Sequence, residues 1–169
     1  VLNKVLVQKG DCVMVQAGTI HAIGAGILIC EIQQNSNCTY RMYDYDRKDK
    51  FGNSRELHVE KALDVVDVHA YTIEKQKEIK TIGDKGSTCR QLVSCKYFVC
   101  YQYCIVDKVQ IIVDESSFIS VIIIDGTGEL YIDGSEERCG YKAGDSFFVT
   151  AGHKTVVITG KCECIVTRV

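Results

Sequence analysis

The sequence predicts an all-β chain of the sandwich or barrel kind. Three observations lead there. Short runs rich in Val, Ile and Tyr recur along the 169 residues, separated by Gly, Asn and Asp. The pairs Asp125-Gly126 and Asp133-Gly134 are tight-turn signals of the type that joins antiparallel strands. A single stretch, residues 55–66, carries a helical period. Proline is absent, so the turns must rely on Gly, Asn and Asp.

In chain order the expected strands are residues 5–7, 12–15, 27–33, 39–43, 77–82, 92–105, 109–113, 118–125, 128–132, 145–149, 154–159 and 163–167. The expected helix follows Ser54 as N-cap and turns Leu57, Ala62, Leu63 and Val66 to one face. The charged stretch 44–56 reads as a surface connection before it, and residues 71–80 as a linker back into strands. This divides the chain into residues 1–75 and 76–169.

Composition excludes several classes of function. The net charge of −2 comes from interspersed signs, so no basic stripe suggests nucleic acid. No apolar run approaches the roughly 18 residues of a membrane span. Residues 1–9 alternate and carry charge, unlike a signal peptide. The ten cysteines include no C-x-x-C pair. Cys30 and Cys100 lie inside apolar runs, where cysteine behaves as a small buried hydrophobe. That placement favours reduced thiols and a cytoplasmic setting over a secreted disulfide framework.

The chain contains an internal repeat. Gly10-Asp11-Cys12-Val13-Met14-Val15-Gln16-Ala17-Gly18 matches Gly144-Asp145-Ser146-Phe147-Phe148-Val149-Thr150-Ala151-Gly152, 134 residues later. His21 follows the first copy three residues after its turn glycine, and imidazole is the commonest protein metal ligand. The second copy carries Thr155 at the equivalent position. His153 reads as an exposed loop residue, His58 as surface or packing, and His69 as a linker residue without a partner nearby in sequence. The second copy is therefore expected to be a structural duplicate without metal.

The spacing from Gly10 to Gly18 and His21 resembles the second signature of the cupin superfamily, with Gln16 in place of its usual proline. The longer string is more specific. It runs Ala17-Gly18-Thr19-Ile20-His21-Ala22-Ile23-Gly24, Glu31-Ile32-Gln33-Gln34-Asn35-Ser36, Thr39-Tyr40-Arg41-Met42-Tyr43-Asp44-Tyr45-Asp46-Arg47, and Arg55-Glu56-Leu57-His58-Val59-Glu60-Lys61-Ala62-Leu63-Asp64-Val65. It is similar to the class I mannose-6-phosphate isomerases of the shorter bacterial type, and Leu92-Val93-Ser94-Cys95-Lys96-Tyr97-Phe98 extends the likeness. The resemblance implies a cupin jelly-roll architecture: a partial catalytic cupin, one helix, then a complete degenerate cupin. The family's metal, usually zinc, is held by a glutamine, a histidine and a glutamate of the first cupin signature plus the histidine of the second. Only the last has a counterpart here, His21. The other three are expected upstream of Val1, which would make this chain the C-terminal part of such an enzyme.

The implied reaction interconverts mannose 6-phosphate and fructose 6-phosphate through a cis-enediol, with a phosphorylated hexose as substrate. By the same resemblance, Arg41 is the catalytic arginine. Its permanently charged fork suits oxyanion stabilisation rather than proton removal. Glu31 is expected to order Arg41, bond a sugar hydroxyl or serve in acid–base work. Gln33 and Tyr43 are expected to line the sugar pocket, and Arg47 to contact phosphate. On regular strands Glu31 and Gln33 share a face, as do Arg41, Tyr43 and Tyr45. A non-enzymatic cupin binding a sugar or small anion is the alternative, and a stabilising or dimerising role for the second repeat is a third reading. Strands of a partial cupin would leave open edges, expected to pair with another copy of the chain as a homodimer or to pack on the second cupin.

Overall fold

The structure, a computed structural model, describes residues 2–72, 78–82 and 85–169. It divides into two compact units, Val1–Glu74 and Lys75–Val169.

The second unit holds the strands. They are β1 (Lys80–Ile82), β2 (Ser87–Ser94), β3 (Val99–Ile105), β4 (Lys108–Val113), β5 (Ile119–Ile132), β6 (Cys139–Lys142), β7 (Ser146–Val149) and β8 (Lys154–Arg168). All pairings are antiparallel, in the order β1-β2-β3-β8-β5-β6, with β4 also on β8 and β7 also on β5. Two long strands organise the sheet. Along one edge β8 meets β5 over nearly its whole length; along the other it meets β4 with its first half and β3 with its second.

The long strands must bend to serve both halves, and glycine makes the bend. A Cβ on Gly126 would sit 2.0 Å from the Lys161 carbonyl oxygen, and one on Gly128 would sit 1.9 Å from that of Thr159. Gly160 answers from β8 with φ +106° and a Cβ position 2.4 Å from the Thr127 oxygen. Only glycine allows backbones this close. A bulge between Ile123 and Asp125 sits beside the bend. It changes the inward set of β5 from odd (Ile119, Val121, Ile123) to even (Leu130), as one extra residue must.

The core follows strand parity. Val109, Ile111 and Val113 of β4 and Val156, Ile158, Cys162, Cys164 and Val166 of β8 pack with the inward residues of β5. Burying each Val or Ile side chain contributes about 1.5–3 kcal/mol before entropy is subtracted. Tyr141 is buried with them, and its hydroxyl donates to the Thr159 carbonyl at 2.7 Å.

Several sequence expectations need correction here. Residues 118–125 and 128–132 are one strand, β5, because Asp125-Gly126 is a bend with close backbone approach rather than a hairpin turn. Residues 154–159 and 163–167 likewise merge into β8. Residues 92–105 split into β2 and β3 at a turn closed by Cys95 N–H to the Phe98 carbonyl at 3.0 Å. Short β6 was not foreseen. Asp133-Gly134 does turn, with Gly134 at φ +82°. Of the expected strand 77–82, residue 77 lies outside the described residues, as do 73–76 of the expected linker.

The first unit differs. Its one helix, α1, spans Val59–Val65 with His58 at the N-cap, not residues 55–66 capped by Ser54. Only Ala62 of the expected apolar face is buried in it; Leu57 and Leu63 are exposed. Among the described residues of this unit the sole ladder contact is an isolated bridge, Lys48 to Ser54. The expected strands 5–7, 12–15, 27–33 and 39–43 are not formed as strands. Alternation marks a segment that can be a strand, but a strand exists only beside a partner. Cys30 accordingly is exposed, whereas Cys100 is buried as expected.

The internal repeat survives in the backbone of both units. Gly10 and Gly144 have φ +91° and +92°, and Gly18 and Gly152 have +87° and +89°. The Gly10 turn is closed by Asp11 N–H to Gln8 O at 3.1 Å and by Gln8 N–H to the Asp11 carboxylate at 2.9 Å. The Gly144 turn repeats both bonds, Asp145 to Lys142 at 3.1 Å and Lys142 to Asp145 at 2.9 Å. Without a gap the match runs on to Gly26 and Gly160, both at positive φ.

Candidate active site

The expected site residues lie in the first unit. His21 is exposed, and its Nδ1 is 2.9 Å from the Thr19 carbonyl oxygen. That bond sets the tautomer with the proton on Nδ1 and leaves Nε2 with its lone pair outward. A histidine that binds a metal through Nε2 uses this arrangement. Among the described residues no group of three or more His, Cys, Asp or Glu side chains could hold a metal ion. The residues present therefore fit one ligand of a zinc site and no more.

Arg41 is the best-positioned member. Its backbone is pinned by His58, whose N–H donates to the Arg41 carbonyl at 2.7 Å. In return the Arg41 N–H donates to His58 Nδ1 at 3.3 Å. The side chain donates from Nη1 to the Glu56 carbonyl at 3.2 Å and lies with Nε 3.9 Å from Asp44 Oδ1. This side chain is 24% exposed.

Asp44 is the hub of the cluster, with its side chain only 10% exposed. Arg55 grips it through two bonds, Nε to Oδ2 at 2.7 Å and a still closer one from Nη2 to Oδ1. The Arg55 hydrogen bonds hold the Asp44 carboxyl below its ordinary value; partial burial opposes them, and the charges of Arg55, Arg41 and Arg47 add to them. A carboxylate shared this way stays ionised and orients the guanidinium groups around it.

Tyr43 is exposed, with its ring 5.0 Å from that of Tyr45. Arg47 stacks over Tyr45 at 5.4 Å. The turn carrying this stack takes Tyr45 and Asp46 through positive φ (55° and 54°), and Arg47 N–H closes it on the Asp44 carbonyl at 3.0 Å.

Arg41, Tyr43 and Arg47 are thus gathered on one short segment around Asp44. Glu31 and Gln33 are exposed, and among the described residues no hydrogen bond or ion pair joins Glu31 or His21 to Arg41. The carboxylate beside Arg41 is Asp44. Sequence reasoning missed Asp44, Arg55 and His58, since it read residues 44–56 as a surface connection and His58 as surface or packing. His69, read as lacking a nearby partner, has Nδ1 at 2.6 Å from Asp67.

Residues 88–169 match the family model described as mannose-6-phosphate isomerase, cupin domain. The chain is 36% identical over 167 residues to mannose-6-phosphate isomerase ManA of Bacillus subtilis, covering 99% of this chain and 51% of that protein. It is 33% identical over 169 residues to the mannose-6-phosphate isomerase of Streptococcus mutans, again over 51% of its length. The crystal structure of the mannose 6-phosphate isomerase from Bacillus subtilis superposes with a TM-score of 0.67 at 35% identity, over 80% of this chain and 42% of that one. The chain spans about half the length of the curated relatives it matches. No helix among the described residues is long and apolar enough to cross a membrane. With its antiparallel sheet of cupin type and this likeness along 99% of its length, the chain is similar to the mannose-6-phosphate isomerases over about half of their length.

Proposed function

We propose that this chain supplies the substrate-facing part of a mannose-6-phosphate isomerase site, with His21 as one zinc ligand. The observation that carries the reading is the repeat. It maps His21, Glu31 and Gln33 onto Thr155, Ile165 and Thr167, which share one parity of β8. Ile165 and Thr167 are buried. A paired strand in the first unit would turn imidazole, carboxylate and amide to one face, the counterpart of the β8 face opposite Val156, Ile158, Cys162, Cys164 and Val166.

The reaction moves a proton between C1 and C2 of the sugar through a cis-enediol. Bound zinc would orient and polarise the sugar oxygens. Arg41, oriented by Asp44, stabilises the developing enediolate charge. Glu31 exchanges a proton or fixes a sugar hydroxyl. Gln33 and Tyr43 bond the sugar, and Arg47 holds the phosphate as a fork onto two oxygens. Cys100, Cys162 and Cys164, used as small core hydrophobes, support a cytoplasmic setting.

With one ligand in hand, the chain alone binds zinc weakly and does not isomerise. Joined to the half of ManA that it does not match, it gains activity, and Arg41→Ala then lowers kcat by about 10²–10³, the usual effect of losing one oxyanion donor. Calorimetry showing a tight stoichiometric zinc site on residues 1–169 overturns the ligand assignment. Full activity in Arg41→Ala overturns the role of the arginine.

A further inference from the structure

The second unit holds a pair of thiols that the isomerase reading does not use. Cys162 and Cys164 stand two residues apart on β8, so both side chains enter the same core. Cys162 is 6% exposed and Cys164 is 0%. Two steps along a flat strand cover about 6.6 Å, close to the upper limit of about 6.8 Å between the Cα atoms of a disulfide. β8 is not flat at this point. Its neighbour on one side changes from β4, last paired at Thr159, to β3, first paired at Cys162. On the other side the β5 bulge lies opposite, with Ile123 paired to Cys164 and Gly126 to Cys162. Val156 and Ile158 before the bend and Cys162, Cys164 and Val166 after it enter one core, so the core lies on the concave side. Side chains on the inside of a bend converge.

The two thiols share a hydrogen bond. That bond holds Cys162 below the ordinary thiol value; burial opposes it, and a hydrogen bond to Tyr141 adds to it. Cys164 is pushed upward, first by the same bond and then by burial. The pair is asymmetric: Cys162 carries the thiolate and Cys164 keeps the proton. Tyr141 also lines an open groove with Gly128, Lys142 and Asp145, so a small molecule in that groove is one side chain away from Cys162.

We propose that Cys162 and Cys164 form a reversible disulfide within β8 on exposure to hydrogen peroxide. The Cys162 thiolate attacks one peroxide oxygen; the O–O bond breaks, a sulfenic acid forms and hydroxide leaves. That hydroxide recovers from solvent the proton that Cys162 gave up. The Cys164 sulfur then attacks the sulfenic sulfur; the S–S bond forms, the S–O bond breaks, and the departing hydroxide leaves as water with the Cys164 proton. Two thiols are oxidised and peroxide is reduced to two waters. The bridge spans a single intervening residue, so it is strained and other thiols reduce it again.

The test treats the full chain with hydrogen peroxide, both folded and in urea. Remaining thiols are alkylated, and trypsin then cuts after Lys161 and Arg168 to release residues 162–168 as one peptide. From the folded chain this peptide carries no alkyl group and is two hydrogens lighter, and a phosphine restores both thiols. The change is at least about tenfold faster than in urea, where the thiolate fraction returns to that of a free thiol. Cys164→Ser leaves a sulfenic acid on Cys162 that dimedone captures, and Cys162→Ser leaves Cys164 unlabelled. A doubly alkylated 162–168 peptide from the folded chain, at a peroxide concentration that oxidises exposed Cys104 and Cys139, overturns the proposal. Equal or faster reaction in urea overturns it too, as does a disulfide from either cysteine to any other. Dimedone on Cys164 in Cys162→Ser overturns the order of attack. The readings on the unsubstituted chain decide the matter even where a variant fails to fold.

Discussion

Residues 12–15 and β7 are nearly the same sequence in two settings, and only one of them is a strand. Both follow a Gly-Asp turn with matching φ and matching hydrogen bonds, and both end at a glycine in the left-handed region. β7 has β5 beside it and buries Val149. Residues 12–15 are not assigned as a strand and leave Val15 open. Turn chemistry is therefore local and travels with the sequence, whereas strand formation depends on a neighbour far away in the chain.

Paired substitutions sharpen this contrast. The largest difference is expected at the matched glycines. Gly160→Ala pushes a Cβ against the Thr127 oxygen, while the same atom on Gly26 meets nothing within 4 Å. Both take on a positive-φ cost of about 1–2 kcal/mol. Gly160→Ala adds an overpacking cost of about 1–3 kcal/mol, so its denaturation midpoint falls much further. Next come the matched valines. Val149→Ala loses about 2 kcal/mol through buried methyl groups and the cavity left behind. Val15→Ala stays within about 0.5 kcal/mol in the same urea titration. Equal losses in either pair would mean that the first unit has a partner the sheet topology does not show.

A smaller effect tests the charge cluster of the first unit. Arg55→Ala removes the hydrogen bonds that lower the Asp44 carboxyl, so its titration, followed by carboxyl NMR, moves up toward the ordinary value of about 3.9. Because the folded value is depressed, the pair's contribution is complete above that ordinary value and is lost as pH falls through the folded one. An unchanged Asp44 titration in the variant would show that Arg55 is not what holds it.

How legible the molecule was follows the same division. Alternation in residues 109–113 gave β4 nearly residue for residue, because every second side chain enters one core. It could not separate Gly126, held by close backbone approach, from Gly134, held by a turn, since both follow Asp. In the first unit the same alternation was read as strands, and pairing, which is not written locally, decided otherwise. Arg41, Tyr43 and Arg47 were singled out by resemblance, and they already lie within seven positions of one another in the sequence. Asp44, Arg55 and His58 stayed hidden because a charged, Gly-containing stretch looks like any surface connection until its carboxylate is seen between arginines.

Residue-resolved amide hydrogen exchange on the full chain in dilute solution tests the central claim most directly. Protection should be strong across β7 and β8 and absent or weak across residues 12–15 and 20–34, the same sequence pattern with and without a neighbouring strand. Comparable protection of both copies in a monomeric chain would contradict the account.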